Sequence, residues 1–210
     1  MPRPSESTAD SNRALAAEIR ALVDHLIGNE HPANKVGEAV RALRQVNDAL
    51  DGLPRDTAYD VTTPSGWAAV REWSPFGGLA NPLGPESALS FGTREDGTHV
   101  VENVVRFGRA YQGAPGCVHG GVLAAYFDDM FGCTQRPYDF TAVTARLAVS
   151  YRAPAPLDHD LTFRTWYEGD LSGKKLTGRG HCVTGDTVVA EVEGLFIKID
   201  LHSLRETAPD

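Results

Sequence analysis

The segment Gly116-Cys117-Val118-His119-Gly120-Gly121-Val122-Leu123-Ala124-Ala125-Tyr126-Phe127-Asp128-Asp129 constrains this chain more than any other. It sets a His-Gly-Gly turn at the mouth of an apolar helix and carboxylates about two turns further on. A helix N-terminus carries unpaired N–H groups and the positive end of the helix dipole. That is a place to hold a polarised carbonyl oxygen. A carboxylate on an otherwise apolar helix is a candidate base or nucleophile for the same carbonyl. A helix apolar nearly all round also has to be enclosed, which predicts a sheet wrapped about it.

The segments after Ser87 supply that sheet. Ser87–Phe91 and His99–Phe107 read as strands around an Glu95-Asp96-Gly97-Thr98 turn. The apolar helix is expected over Gly120–Phe131. Four further strands are expected at Val143–Tyr151, Leu161–Tyr167, Lys174–Val183 and Val188–Ile199. Leu161, Phe163, Thr165 and Tyr167 share one face at period two. Asp170-Leu171-Ser172-Gly173 and Thr184-Gly185-Asp186 read as hairpin turns. One long helix with five or six mostly antiparallel strands is an α+β domain.

Ahead of it lie two amphipathic helices. Asp10 or Ser11 is placed to cap the first, after nine residues that predict no fixed structure. Its stripe is Leu15, Ile19, Leu22, Val23 and Leu26, and His31-Pro32 breaks it. Val36, Val40, Leu43, Val46 and Leu50 form a second stripe, stopped by Asp51-Gly52-Leu53-Pro54. Such stripes are expected to cover the main domain or a partner subunit, as an accessory layer or as a lid over an acyl chain. The expected division is an N-terminal helical extension over 1–60 and a main domain over 61–205. Between them, Ser74-Pro75-Phe76-Gly77-Gly78-Leu79-Ala80-Asn81-Pro82-Leu83-Gly84-Pro85 reads as an ordered loop, for binding or for rigid connection.

Composition excludes several classes. The formal net charge of −8 over 210 residues argues against a broad nucleic-acid footprint. No apolar run of about 18 residues predicts a membrane span. The N-terminus has no apolar signal core, so the cytoplasm is the expected location. Cys117, Cys133 and Cys182 fit neither a disulfide framework nor a zinc motif. Cys117 lies two residues from His119, which admits a Cys-His nucleophile, although a free cysteine is more often a small buried hydrophobe. The histidines are scattered, and no metal is expected.

His119-Gly120-Gly121 at the head of the helix, Asp128 nine residues after the histidine and Thr144 sixteen residues after Asp128 resemble the hotdog-fold acyl-CoA thioesterases. The branch they resemble includes the phenylacetate-pathway thioesterases and thioesterase superfamily member 4. The segment Thr144–Leu157, with Tyr151-Arg152-Ala153-Pro154, is similar to that family's strand and turn. Gly173-Lys174-Lys175 resembles a Gly-Arg-Lys segment that contacts coenzyme A, and Glu193–Ile199 resembles the closing strand. The resemblance covers roughly residues 70–200.

The resemblance implies a hotdog fold, an antiparallel sheet wrapped around a long central helix, here with an N-terminal helical extension. It implies hydrolysis of an acyl-CoA to free acid and coenzyme A, with no cofactor beyond the substrate's own coenzyme A. Asp128 is then the attacking group, as nucleophile or as general base. Asp129, about 100° round the helix, is the competing carboxylate. Gly121 supplies an oxyanion donor, or both glycines simply allow a tight helix mouth. His119 holds that mouth or contacts the thioester. Thr144 orients water or Asp128, or merely favours a strand. Asn81 lines the acyl pocket or braces the helix. Gly120 lies beside the thioester, and Arg152, Gly173, Lys174, Lys175 and Arg179 are the candidates near the coenzyme A phosphates.

Gly121 and Asp128 lie roughly 10 Å apart along one helix, too far to meet the same carbonyl. Two antiparallel copies of the helix solve this, so at least a homodimer is expected, and a dimer of dimers is compatible. The alternatives are a thioesterase acting on carrier-protein-bound acyl groups and a non-catalytic acyl-CoA-binding hotdog protein. A hydratase is less favoured, because the helix lacks the Asp-x-x-x-x-His pattern that resembles hydratase hotdogs.

Overall fold

Alternation of apolar and polar residues in the second half of the chain produces one antiparallel sheet. The structure, a computed structural model, describes residues 6–52, 72–138 and 140–200. In chain order it holds helices α1 (Glu6–Leu26) and α2 (Ala33–Leu50), then strands β1 (Ser87–Thr93) and β2 (His99–Val105). Helix α3 (Gly120–Thr134) follows, and then β3 (Thr141–Tyr151), β4 (Leu161–Glu168), β5 (Lys175–Thr184) and β6 (Thr187–Ile199). The six strands form a single sheet in the order β1-β2-β4-β5-β6-β3, with every adjacent pair antiparallel. This is the α+β hotdog arrangement expected from the sequence, and each expected strand is present to within two residues at either end.

Helix α3 lies on the sheet with Leu123, Tyr126, Phe127, Met130, Phe131 and Thr134 buried. The expected inward face of β4, Leu161, Phe163, Thr165 and Tyr167, is fully buried against it. Tyr126 and Phe127 meet Phe163, and Phe131 meets Tyr167 and Phe196, at ring-centroid distances of 4.6–6.0 Å. Space for Phe131 and Phe196 comes from two glycines paired across β5 and β6, Gly178 and Gly194. A Cβ on Gly178 would stand 2.5 Å from Phe131 Cε1, and one on Gly194 would collide with the Phe196 ring.

Four features differ from the sequence reading. Helix α1 starts at Glu6, ahead of the expected caps Asp10 and Ser11, so residues 6–9 are helical. Helix α3 continues past Gly132 to Thr134, whose hydroxyl donates to the Met130 carbonyl at 2.8 Å and meets Thr165 Oγ1 at 2.6 Å. The sheet covers one face of α3 and not its circumference: Gly121 and Asp128 are exposed, and Val122, Ala124, Ala125 and Cys133 are half-buried. The two N-terminal stripes stay largely uncovered. Helix α1 docks on the main domain and buries Ala16, yet Leu15, Ile19, Leu22 and Leu26 of its stripe remain exposed, and α2 buries no residue and leaves its whole stripe exposed. The Leu53-Pro54 stop, the boundary expected between 60 and 61, and residues 201–205 lie outside the described residues.

Gly178→Ala forces Phe131 or the β5 backbone to move, an overpacking cost of about 1–3 kcal/mol. Urea unfolding should show that loss; an unchanged midpoint would contradict the account of the helix–sheet contact.

Candidate active site

The helix mouth is held from three sides. His119 is the N-cap residue of α3, and its Nδ1 accepts the Gly121 N–H at 2.9 Å. Its own N–H donates to the Tyr111 carbonyl at 2.8 Å. From β3, the Tyr151 hydroxyl donates to the Gly120 carbonyl at 2.7 Å. A Cβ on Gly120 would press on the Tyr151 ring at 3.1 Å, so glycine there permits a close strand–helix approach. His119 thus performs the first of its two expected jobs. The N–H expected to meet an oxyanion, that of Gly121, is engaged by the same histidine.

Two turns along the helix, Asp128 meets Thr144. The Thr144 hydroxyl donates to Asp128 Oδ1 at 2.6 Å, a charge-assisted bond between exposed residues. Thr144 stands at a β-bulge: it pairs with Phe196 while Arg146 pairs with the adjacent Leu195, which leaves Ala145 as the extra residue. Bulges re-aim side chains at sheet edges, and β3 is an edge strand.

Asp129 has a different part. It accepts a hydrogen bond from the Ser74 hydroxyl. A Cβ on Gly77 would meet its Oδ2 at 2.6 Å, so the 74–77 turn lies directly on this carboxylate. That turn is fastened to α1. Arg13 grips the Glu72 carboxylate with contacts of 2.5 and 2.9 Å, and Arg20 reaches the Leu79, Asn81 and Gly84 carbonyls at 3.2–3.5 Å. Asn81 braces its own loop and not the helix: its amide donates to the Trp73 carbonyl and accepts the Leu83 N–H, each at 2.9 Å.

The expected phosphate-binding charges are dispersed. Arg152 pairs with Glu191 at 2.7 Å, and Arg179 with Glu168 at 3.1 Å and Glu193 at 2.8 Å. Gly173, Lys174 and Lys175 are exposed at the β4–β5 hairpin, and the two lysines form no ion pair among the described residues. Burial pushes the Cys182 thiol up to about 12, so it stays protonated. Burial, with the Asp128 charge adding to it, likewise holds the Tyr167 phenol well above its ordinary value and keeps it a donor. Among the described residues no group of three or more His, Cys, Asp or Glu is placed to hold a metal ion. No helix among them is long and apolar enough to cross a membrane.

Sequence reasoning missed three contacts: Ser74 on Asp129, Tyr151 on Gly120, and the Gln135 side chain on the Ala142 backbone. Each joins residues far apart in the chain or uses a backbone group as partner, so no spacing motif announces it.

Fold and site together describe a hotdog domain with a carboxylate on the outer face of its helix. A sequence model of the thioesterase superfamily matches residues 115–168, which span the helix mouth, Asp128 and Thr144. Acyl-coenzyme A thioesterase THEM4 of Bos taurus is 34% identical over 92 residues, covering 42% of this chain and 37% of that protein. THEM4 of Mus musculus is 31% identical over 120 residues, 56% of this chain and 50% of that protein. The chain therefore spans half or less of the length of these relatives. The crystal structure of protein RHA08564, a thioesterase superfamily protein, superposes with a TM-score of 0.72 at 28% identity, covering 89% of this chain and 94% of that one. The chain thus carries a thioesterase superfamily match over its helix and the strands beside it, and shares its fold over most of its length with a thioesterase superfamily protein.

Ser74→Ala removes the hydroxyl that anchors Asp129. Loss of a half-buried bond to a charged group should lower stability by about 1–2 kcal/mol, measured by chemical denaturation. An unaltered stability would show that the 74–77 turn is not anchored there.

Proposed function

We propose that the protein hydrolyses an acyl-coenzyme A thioester to the free acid and coenzyme A, with Asp128 as the attacking or proton-accepting group. The observation that carries this reading is the Thr144–Asp128 hydrogen bond at 2.6 Å on the exposed face of α3. It fixes one carboxylate oxygen and leaves Oδ2 for the reaction. Either Oδ2 takes a proton from water, whose oxygen then bonds to the carbonyl carbon, or Oδ2 attacks that carbon itself and water cleaves the resulting anhydride. In both routes the C–S bond breaks, and the thiolate leaves and is protonated.

The oxyanion needs donors in place before charge develops. A helix-mouth N–H at Gly121 and the His119 ring provide them. Because Nδ1 accepts from Gly121, the neutral ring carries its proton on Nε2, a donor still available to a ligand. The carbonyl oxygen then shares or replaces Nδ1 as partner of the Gly121 N–H.

Gly121 and Asp128 share the exposed side of α3 but sit roughly 10 Å apart along it. Facing that side with its copy, antiparallel across a twofold axis, brings the mouth of one helix to the carboxylate of the other. This yields two equal sites per homodimer. The half-buried Val122, Ala124 and Ala125 suit such a contact. Lys174 and Lys175 are the cations best placed to meet phosphates, while Arg152 would first have to leave Glu191. Both named relatives are acyl-coenzyme A thioesterases, which supports the substrate class.

Thiol release from short, medium, long and aromatic acyl-CoAs tests the reading. The expected result is turnover by the wild type, and a fall of ~100-fold or more in folded Asp128→Asn. Thr144→Ala should fall less, by roughly 10-fold, because water can replace the hydroxyl. Equal turnover in wild type and Asp128→Asn would refute the Asp128 mechanism. Turnover of carrier-bound acyl groups alone would reassign the substrate, and binding without turnover would make the protein an acyl-CoA-binding module.

A further inference from the structure

The contact between α3 and β3 consists of three hydrogen-bonded rungs running antiparallel. The Tyr151 hydroxyl holds the Gly120 carbonyl, Thr144 holds Asp128, and Gln135 holds Ala142. The last rung is double. The Gln135 amide donates to the Ala142 carbonyl at 2.9 Å, and its oxygen accepts the Ala142 N–H at 2.7 Å. Gln135 is 5% exposed, so both bonds are shielded from water.

We infer that Gln135 is a positioning residue of the proposed active site, setting where the Thr144 hydroxyl meets Asp128; this rests on the reading of that pair as the reacting centre. Gln135 lies seven residues after Asp128, two turns on and nearly the same direction around the helix axis. Ala142 lies two residues before Thr144, on the same face of β3. The two rungs are therefore neighbours on one helix–strand contact.

The bulge decides which outer rung controls the middle one. It falls at Ala145, between Thr144 and Tyr151. An extra residue there absorbs changes of register, so the Tyr151 rung is decoupled from Thr144. On the Gln135 side nothing intervenes but Val143. Gln135 is itself fixed through its helix turn, because the neighbouring Thr134 meets Thr165 Oγ1 at 2.6 Å and the Tyr167 phenol donates to the Phe131 carbonyl, four residues before Gln135, at 3.3 Å. The lever thus runs from β4 through the end of α3 to the start of β3. A side chain at 135 must donate and accept at once; an ionised glutamate can only accept, and a methionine can do neither.

The test compares wild type, Gln135→Met, Gln135→Glu, Thr144→Ala and the double variant Gln135→Met/Thr144→Ala. Folding is checked by circular dichroism and gel filtration, and activity by thiol release from the best acyl-CoA. Gln135→Met should lower kcat by up to about 10-fold, no more than Thr144→Ala does and on the scale of a small misplacement of a reacting group, with KM within about 2-fold. If the residue acts through Thr144, the double variant is no slower than Thr144→Ala alone. A folded Gln135→Met with wild-type kcat, or losses that multiply in the double variant, would overturn the inference. If Gln135→Met does not fold, Gln135→Glu carries the same comparison. A crystal structure of the folded variant gives a reading independent of turnover: the Thr144–Asp128 hydrogen bond should be broken, and a bond kept at 2.6 Å would refute the positioning role even in an idle protein. An idle wild type would refute the proposed function and leave this structural comparison standing.

Discussion

The close approach of α3 to the sheet governs everything else in this chain. Two glycines paired across β5 and β6 open the floor of the sheet, and the Phe131 and Phe196 rings fill the space. Larger residues at 178 or 194 would lift the helix. That separation brings the outer side of α3 level with the edge strand β3, so that short side chains can bridge them: a threonine to an aspartate, a glutamine amide to a main chain. The chemistry on the outer face is a consequence of packing on the inner one.

A helix placed this way has two unlike sides. The inner side is aromatic and closed. The outer side carries Asp128 and Gly121 in the open, flanked by small apolar residues, beside a sheet edge that no further strand covers among the described residues. An exposed sheet edge next to an apolar surface favours a second copy. The N-terminal extension adds a second layer of control. Helix α1 pins the 72–84 loop through Arg13 and Arg20, and Ser74 in that loop pins Asp129, next to Asp128 in the chain. The extension is thus tied to the helix that carries the candidate carboxylate, which is more than an accessory cover provides.

Much of this was legible in the amino-acid order because it depends on period and punctuation. Alternation in Leu161–Tyr167 sets an inward face whatever the partners are. The glycines and the histidine before Val122 mark a helix mouth, and nine residues separate His119 from Asp128 in any straight helix. Helix α3 runs three residues beyond the expected Phe131, because the bond between Thr134 and Thr165 on β4 supplies stability that no local signal carries. Asp129 reads as a competing carboxylate, and its partner Ser74 stands 55 residues away in the chain, where no spacing motif connects the two. Arg152 and Arg179 read as free cations for the same reason, since their glutamate partners lie on other strands. Spacing rules reach along one element; they do not reach across a sheet.

In the proposed dimer each site joins the helix mouth of one subunit to the carboxylate of the other, and subunit complementation separates this arrangement from a site built within one chain. Asp128→Asn removes the carboxylate, and Gly121→Pro removes the donor N–H in the first turn, where proline is tolerated. Each variant alone should be nearly inactive. Unfolded and refolded together in equal amounts, half of the dimers are mixed, and each mixed dimer holds one intact site and one site lacking both groups. Recovery of about a quarter of wild-type sites is expected. No recovery from a mixture shown to contain mixed dimers would contradict it, because a site built within one chain cannot be restored by exchanging partners.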